Sequence, residues 1–268
     1  SVVNNGLITA RVMEQQSVYN LSAELITDNT QFNNHVVSMT GMKATVQGYV
    51  LNDTRGIIDM YGRGNVGMLA IDNSIAENAG QIILDTMWVD EDDSTTMSSN
   101  VPANSAKDFG VGMAVGTDDL RGAGINATAI NKQDGNITIY NAGAGIAAYG
   151  VSNTVINQGT INLEKNGYYD ESLGQDKLVG MAVYNGATAI NDQTGVININ
   201  AEIGQAFYSD GTGVIINYGT ICTFGVCLSG NEYNETDNLV SLVYTGGDSL
   251  SGNGSTETLA RTAVITDQ

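Results

Sequence analysis

The sequence predicts an all-β solenoid, a parallel β-helix of roughly seven to nine coils with about 24–26 residues per coil. Three observations carry this. A Gly-x-Ile string recurs along the chain. An Asn precedes each of its glycines at one of two spacings. The 268 residues include 33 Gly and a single Pro, so nearly every backbone N–H is free to pair between strands.

The Gly-x-Ile strings end in Ile8, Ile58, Ile82, Ile137, Ile161, Ile197 and Ile221. When strands stack about 4.8 Å apart, equivalent residues lie one above another, and these isoleucines form an inward aliphatic ladder. The asparagines are Asn4, Asn52, Asn78, Asn131, Asn157, Asn191 and Asn217. They are expected to stack at a turn, bonding backbone and one another. The Asn-to-Gly gap alternates between two and four residues from the first pair to the last. A second landmark, Gly-Met-x-Ala in its clearest form, stands at Gly41, Gly67, Gly112, Gly145, Gly180 and Gly204. One coil therefore reads as a Gly-Met strand, a turn, an apolar strand ending in Asn, a second turn, and the Gly-x-Ile strand. A β-sandwich would not need such in-register repetition.

The link from Gly-x-Ile back to the next Gly-Met strand is alternately short and long. Insertions are expected at about 10–35, 86–108, 164–177 and 229–239, the last followed by a weak seventh coil near Val240 to Leu250. All leave after the same strand, so they should emerge from one edge every second coil, with successive lobes about 10 Å apart. The whole chain, 1–268, reads as one β-helix domain. The lobes combine acids with aromatics: Trp88 with Asp90, Glu91, Asp92 and Asp93; Tyr168 and Tyr169 with Asp170 and Glu171; and Glu232 with Tyr233. Long loops on one face of a repeat protein are frequent binding elements, so these residues are the candidate ligand-binding set. Aromatic rings can stack on sugars or anchor a protein partner.

The charge balance narrows the partners. Ten basic residues face 29 acidic ones, a formal charge of −19. Such a surface repels nucleic acid and anionic lipid. No apolar run is long enough for a membrane-spanning helix, so direct membrane insertion of this chain is not expected. Ser1 follows no Met or signal segment, which reads as a mature or trimmed fragment.

Catalytic chemistry is thinly represented. His35 is the sole histidine, and no Gly-x-Ser-x-Gly string is present. Asp118-Asp119 superficially resembles the acid pair of polygalacturonases, yet their Gly-His-Gly and Arg-Ile-Lys strings are missing. Arg63 and Arg121 are the candidate bases for lyase chemistry, but no recognisable acid cluster accompanies them. The reading is no enzyme, no cofactor and no assigned metal; the Asp90–Asp93 run supplies oxygen ligands that could hold Ca²⁺ but lacks EF-hand spacing, and the alternative is a solvated charge run. Cys222 and Cys227 are the only cysteines, too few for a structural zinc site, and a local disulfide is expected.

Units such as TVINQGTINLE, TAINDQTGVININ and GVIINYGTICTFGVC, interleaved with GMAVYNGA and GIAAYG, resemble passenger domains of Gram-negative autotransporter adhesins over roughly residues 1–230. The resemblance implies a right-handed β-helix displayed at the bacterial surface, outer membrane or secreted, with a C-terminal translocator barrel elsewhere in the full-length protein. It implies adhesion, aggregation or biofilm formation, by binding host matrix protein or glycan, or the same protein on neighbouring cells. The alternatives are a polysaccharide-degrading β-helix and a phage-type receptor-binding β-helix.

Overall fold

The structure is a computed structural model describing residues 1–11, 40–61, 65–86, 110–116, 126–141, 143–164, 178–201, 204–209, 211–229, 241–244 and 264–266. The first coil is β1 (Val2–Asn4), β2 (Leu7–Arg11) and β3 (Thr40–Ala44). The second is β4 (Tyr49–Asn52), β5 (Ile57–Tyr61) and β6 (Asn65–Ile71). The third is β7 (Ile75–Asn78), β8 (Gln81–Asp85) and β9 (Gly110–Gly116), and the fourth is β10 (Thr128–Asn131), β11 (Asn136–Tyr140) and β12 (Gly143–Tyr149). The fifth is β13 (Thr154–Asn157), β14 (Thr160–Glu164) and β15 (Leu178–Tyr184), and the sixth is β16 (Thr188–Asn191), β17 (Val196–Asn200) and β18 (Gly204–Ser209). A seventh is begun by β19 (Val214–Asn217) and β20 (Thr220–Thr223). Strands of one kind stack in parallel, giving three sheets that wrap a common core as a right-handed parallel β-helix.

The repeat maps onto this architecture residue by residue. The first sheet ends in the Asn ladder, with Asn4, Asn52 and Asn78 in register, as are Asn131, Asn157, Asn191 and Asn217. The second sheet aligns Ile8, Ile58, Ile82, Ile137, Ile161, Ile197 and Ile221. These isoleucines join one core with Met42, Met68, Met113, Ile146, Met181 and Phe207 of the third sheet.

The Gly-Met landmark has a steric cause. A Cβ on Gly67, Gly112 or Gly180 would collide with the carbonyl oxygen of the next coil and with a methyl of the isoleucine ladder. The corner from third to first sheet turns through left-handed residues. Asp72 and Asn73 do so in one coil, Asn185 and Gly186 in another, and Val46 and Gln47 in the first. Asn, Asp and Gly accept that conformation most readily.

The C-terminal end departs from the expected further coil. The region near Val240 to Leu250 contributes β22 (Ser241–Tyr244), which pairs antiparallel with β19 and in turn with β23 (Val264–Thr266). An apolar strand reads the same in either direction, so the sequence did not distinguish a coil from a cap. The second sheet is closed in the same manner. β21 (Val226–Ser229) folds back on β20 through Phe224 and Gly225, both with positive φ, as a two-residue hairpin turn requires.

Candidate interaction surfaces

The asparagine corner is a continuous hydrogen-bonded column. Asn4 Nδ2 donates to Asn52 Oδ1 at 2.8 Å, and Asn52 to Asn78 at 2.8 Å. Asn78 then donates to Asn131 at 2.8 Å, Asn131 to Asn157 at 2.9 Å, Asn157 to Asn191 at 2.8 Å, and Asn191 to Asn217 at 2.8 Å. From Asn52 to Asn191 these side chains are fully buried, which costs little because both ends of each amide are satisfied.

The alternating spacing makes two corner shapes. After Asn52, Asn131 and Asn191 the corner is wide, and Gly56, Gly135 and Gly195 donate N–H to the carbonyls of Asp53, Lys132 and Asp192. After Asn78, Asn157 and Asn217 it is tight. The N–H groups of Gly80, Gly159 and Gly219 then reach the carbonyls of Asn52, Asn131 and Asn191 in the preceding coil, each at 3.1 Å. A Cβ on any of these three glycines would press into the carbonyl oxygen of the wide-corner glycine of that coil. Each tight corner is therefore nested on a wide one, and the two-coil unit has a packing reason.

The outward faces differ in chemistry. On the first sheet, Thr128, Thr154 and Thr188 form one half-buried row, and Ile130, Ile156, Ile190 and Ile216 form another. Glu77 there accepts from Tyr49 Oη at 2.8 Å and pairs with Lys132 Nζ at 3.2 Å. Burial, then the hydrogen bond and charge of Glu77 and the charge of Asp53, push the Tyr49 phenol up to about 12. On the second sheet, Asn198 donates to Asn162 and Asn162 to Asn136; Asn200 donates to Glu164 at 2.7 Å, and Asn141 Nδ2 to Asp85 at 2.7 Å. Among the described residues, the one buried side-chain oxygen or nitrogen without a partner is Asn141 Oδ1.

Through β6, β9, β12 and β15 the third sheet is buried on both sides, while Lys43 of β3 is exposed and Gln205 and Tyr208 of β18 are half-buried. Opposite the methionine side stand Val66, Leu69, Val111, Ala114, Ala144, Ala147, Val179 and Ala182, all buried. Beside them Tyr149, Tyr184 and Tyr208 stack with ring centroids 5.8 and 5.5 Å apart. None of the described strands lies across this outer face. The sequence reading missed this second apolar cluster; its signal was the near-continuous apolar character of strands such as GVGMAVG.

The candidate binding residues Trp88, Asp90, Glu91, Asp92, Asp93, Tyr168, Tyr169, Asp170, Glu171, Glu232 and Tyr233 lie outside the described residues. So do His35, Arg63, Asp118, Asp119 and Arg121. The strands that flank the three long segments are nevertheless fixed. Residues 12–39, 87–109 and 165–177 each connect a second-sheet strand (β2, β8 or β14) to a third-sheet strand (β3, β9 or β15). Of the 29 acidic residues, the described coils hold only Asp53, Asp59, Asp72, Glu77, Asp85, Asp134, Glu164 and Asp192. Among the described residues, no three His, Cys, Asp or Glu side chains cluster in a way that could hold a metal ion. Cys222 and Cys227 face each other across the β20–β21 hairpin and form the expected disulfide.

Comparison with known proteins places this architecture. The chain is 40% identical over 223 residues to a Salmonella typhimurium protein named "Putative surface-exposed virulence protein BigA". That alignment covers 81% of this chain and 11% of the relative, so the chain corresponds to a small part of a much longer protein. No solved structure matches it. The family described as BigA third pectate lyase-like domain matches residues 1–195, three sheets and five coils of the solenoid included. This chain belongs to that family of BigA third pectate lyase-like domains.

Proposed function

We propose that this chain is a non-catalytic recognition module of a bacterial surface adhesin. It is displayed outside the cell as part of an autotransporter-type passenger, with its translocator barrel elsewhere in the longer protein. One observation carries the reading: many of the polar side chains of the coils are engaged in holding coils together. The asparagines bond one another, Glu164 and Asp85 are tied to neutral amides, and Glu77 to Tyr49 and Lys132. Most of the acidic charge, and the aromatics Trp88, Tyr168, Tyr169 and Tyr233, belong to the segments between the second and third sheets or beyond β21. The surface-exposed virulence protein named among its relatives supports the location. In this reading the coils are a ruler, and the lobes bind a host matrix protein or a neutral glycan. Weak contacts are multiplied by many copies on a cell, where adhesion, aggregation or biofilm growth results.

The test is binding of the purified chain to immobilised matrix proteins and glycans, repeated with Trp88→Ala and with Tyr168→Ala/Tyr169→Ala. A saturable signal that weakens about tenfold or more in either variant is expected, since aromatic anchors dominate such interfaces. Binding that is indifferent to all three substitutions would remove the lobes from the interface. Release of unsaturated or reducing sugar from polygalacturonate would replace the adhesin reading with the enzymatic one that the pectate lyase-like family name evokes.

A further inference from the structure

The two ends of the solenoid are finished differently, and the N-terminal end is shaped to receive something. At the C-terminal end, antiparallel strands β21 and β22 close the second and first sheets. At the other end, among the described residues, no strand lies beyond β1 and β2, and their core-facing side chains are exposed or half-buried, whereas Met42 and Ala44 of β3 are buried. Val2 occupies the inward register position of Val50, yet Val2 is 61% exposed and Val50 2%. Ile8, in register with the fully buried Ile58, is only partly covered.

Polar groups repeat the message. In every later tight corner, three consecutive amides donate to the coil beneath: those of Ala79, Gly80 and Gln81 to the carbonyls of Asn52, Asn52 and Gly56. Gln158, Gly159 and Thr160 do the same, as do Tyr218, Gly219 and Thr220. Asn5, Gly6 and Leu7 hold this position in the first coil; Gly6 N–H donates to Asn4 Oδ1 in its own corner, a bond that Gly219 makes to Asn217 Oδ1 in addition to its bond to the coil beneath. From Asn52 to Asn217, each ladder Oδ1 accepts Nδ2 from the preceding coil.

Gly6 itself is the most specific mark. The glycines of the later tight corners are required because a carbonyl of the preceding coil fills the space of a Cβ. A Cβ on Gly6 would meet nothing within 4 Å, and Gly6 has no positive φ to demand glycine. Its identity makes physical sense if a wide-corner coil lies beneath it.

We propose that this end is the seat of a further parallel coil, supplied by the polypeptide that precedes these residues in the longer protein. The relative's far greater length gives such a coil a source. Because tight corners nest on wide ones, that coil carries Asn-x-x-x-Gly-x-(Ile/Val). Its Asn donates to Asn4 Oδ1, its Asn and Gly carbonyls accept from Asn5, Gly6 and Leu7, and its aliphatic residues cover Val2 and Ile8. This inference is independent of the adhesin reading, since it concerns how the solenoid continues and not what it binds.

The experiment compares amide exchange and melting of this chain with those of the natural polypeptide extended upstream by two coil lengths. In the longer polypeptide, exchange at Asn5, Gly6 and Leu7 is expected to slow about a hundredfold or more, as core amides do. Gly6→Ala should lower Tm by about 5 °C or more there and by less than about 1 °C in this chain alone. Equal exchange in both, or a Gly6→Ala effect of equal size in both, overturns the proposal. So does a dimer of this chain in which the same three amides are protected, an outcome that assigns the end to a second copy.

Discussion

The second and third sheets enclose the same core from two sides, yet they are built to different rules. In β14, Ile161 and Leu163 point inward and are buried, while Thr160 and Asn162 are half-exposed. In β9 every residue is buried, Met113 toward the core and Ala114 away from it. The difference teaches that a solenoid has no obligatory wet side. A strand alternates in polarity only where one face meets solvent; where both are covered, the run becomes continuously apolar.

The largest expected effect tests the core side. Ile161→Asp places a carboxylate among aliphatic side chains with no partner and should abolish cooperative folding, a loss of more than about 4 kcal/mol. Thr160→Asp, one residue earlier on the solvent side, should stay within about 0.5 kcal/mol. Thermal denaturation followed by circular dichroism measures both, and two similar melting curves would mean that the inward register is misassigned.

An intermediate effect sharpens the contrast. Ala114→Asp, on the outer face of the third sheet, should cost about 2–4 kcal/mol, far more than Thr160→Asp, because that face is dry as well. A melting temperature like that of the unsubstituted chain would show the face to be wetted.

The smallest effect lies on the outer side of the first sheet, where polarity is tolerated. Tyr49 should titrate near pH 12, and Glu77→Gln should bring it back toward 10. Its folded-state value is raised, so the native protein holds this proton more tightly than the unfolded chain does. The associated stability is present below about pH 10 and is lost between about 10 and 12. A ring-proton NMR titration of Tyr49 reads this directly; an unshifted midpoint would dissociate the phenol from Glu77.

Much of this fold was legible because stacking converts geometry into spelling. A residue that must lie above its own kind recurs as a letter, and so the Ile161 and Asn157 columns and the alternating Gly corners could be read from the chain. The Cys222–Cys227 pair was legible from proximity alone. The second cluster around Val111 and Ala114 was not, since small apolar residues on a strand do not declare which of two faces they cover. The antiparallel β22 was hidden because direction leaves no trace in an apolar tetrapeptide. Residues 12–39, 87–109 and 165–177 interrupt the period between a second-sheet and a third-sheet strand, whereas 230–240 follows the β21 hairpin; interruption carries no geometry, and Trp88 or Tyr168 obey no repeat from which position could be inferred.

The asparagine column has an electrical consequence. Asn52, Asn78 and Asn131 each also give Nδ2 to a glycine carbonyl of their own corner, which fixes the orientation of the amide. All the amides therefore point the same way, from Asn4 toward Asn217, and each bond polarises the next. The corner is a line of aligned dipoles, with its oxygen pole at Asn4 and its hydrogen pole near Asn217. Replacing one member by an isosteric leucine would split this line into two shorter ones, each with a bare pole inside the protein. A coil set in upside down would bring like poles together, so the column enforces the sense in which coils are laid down.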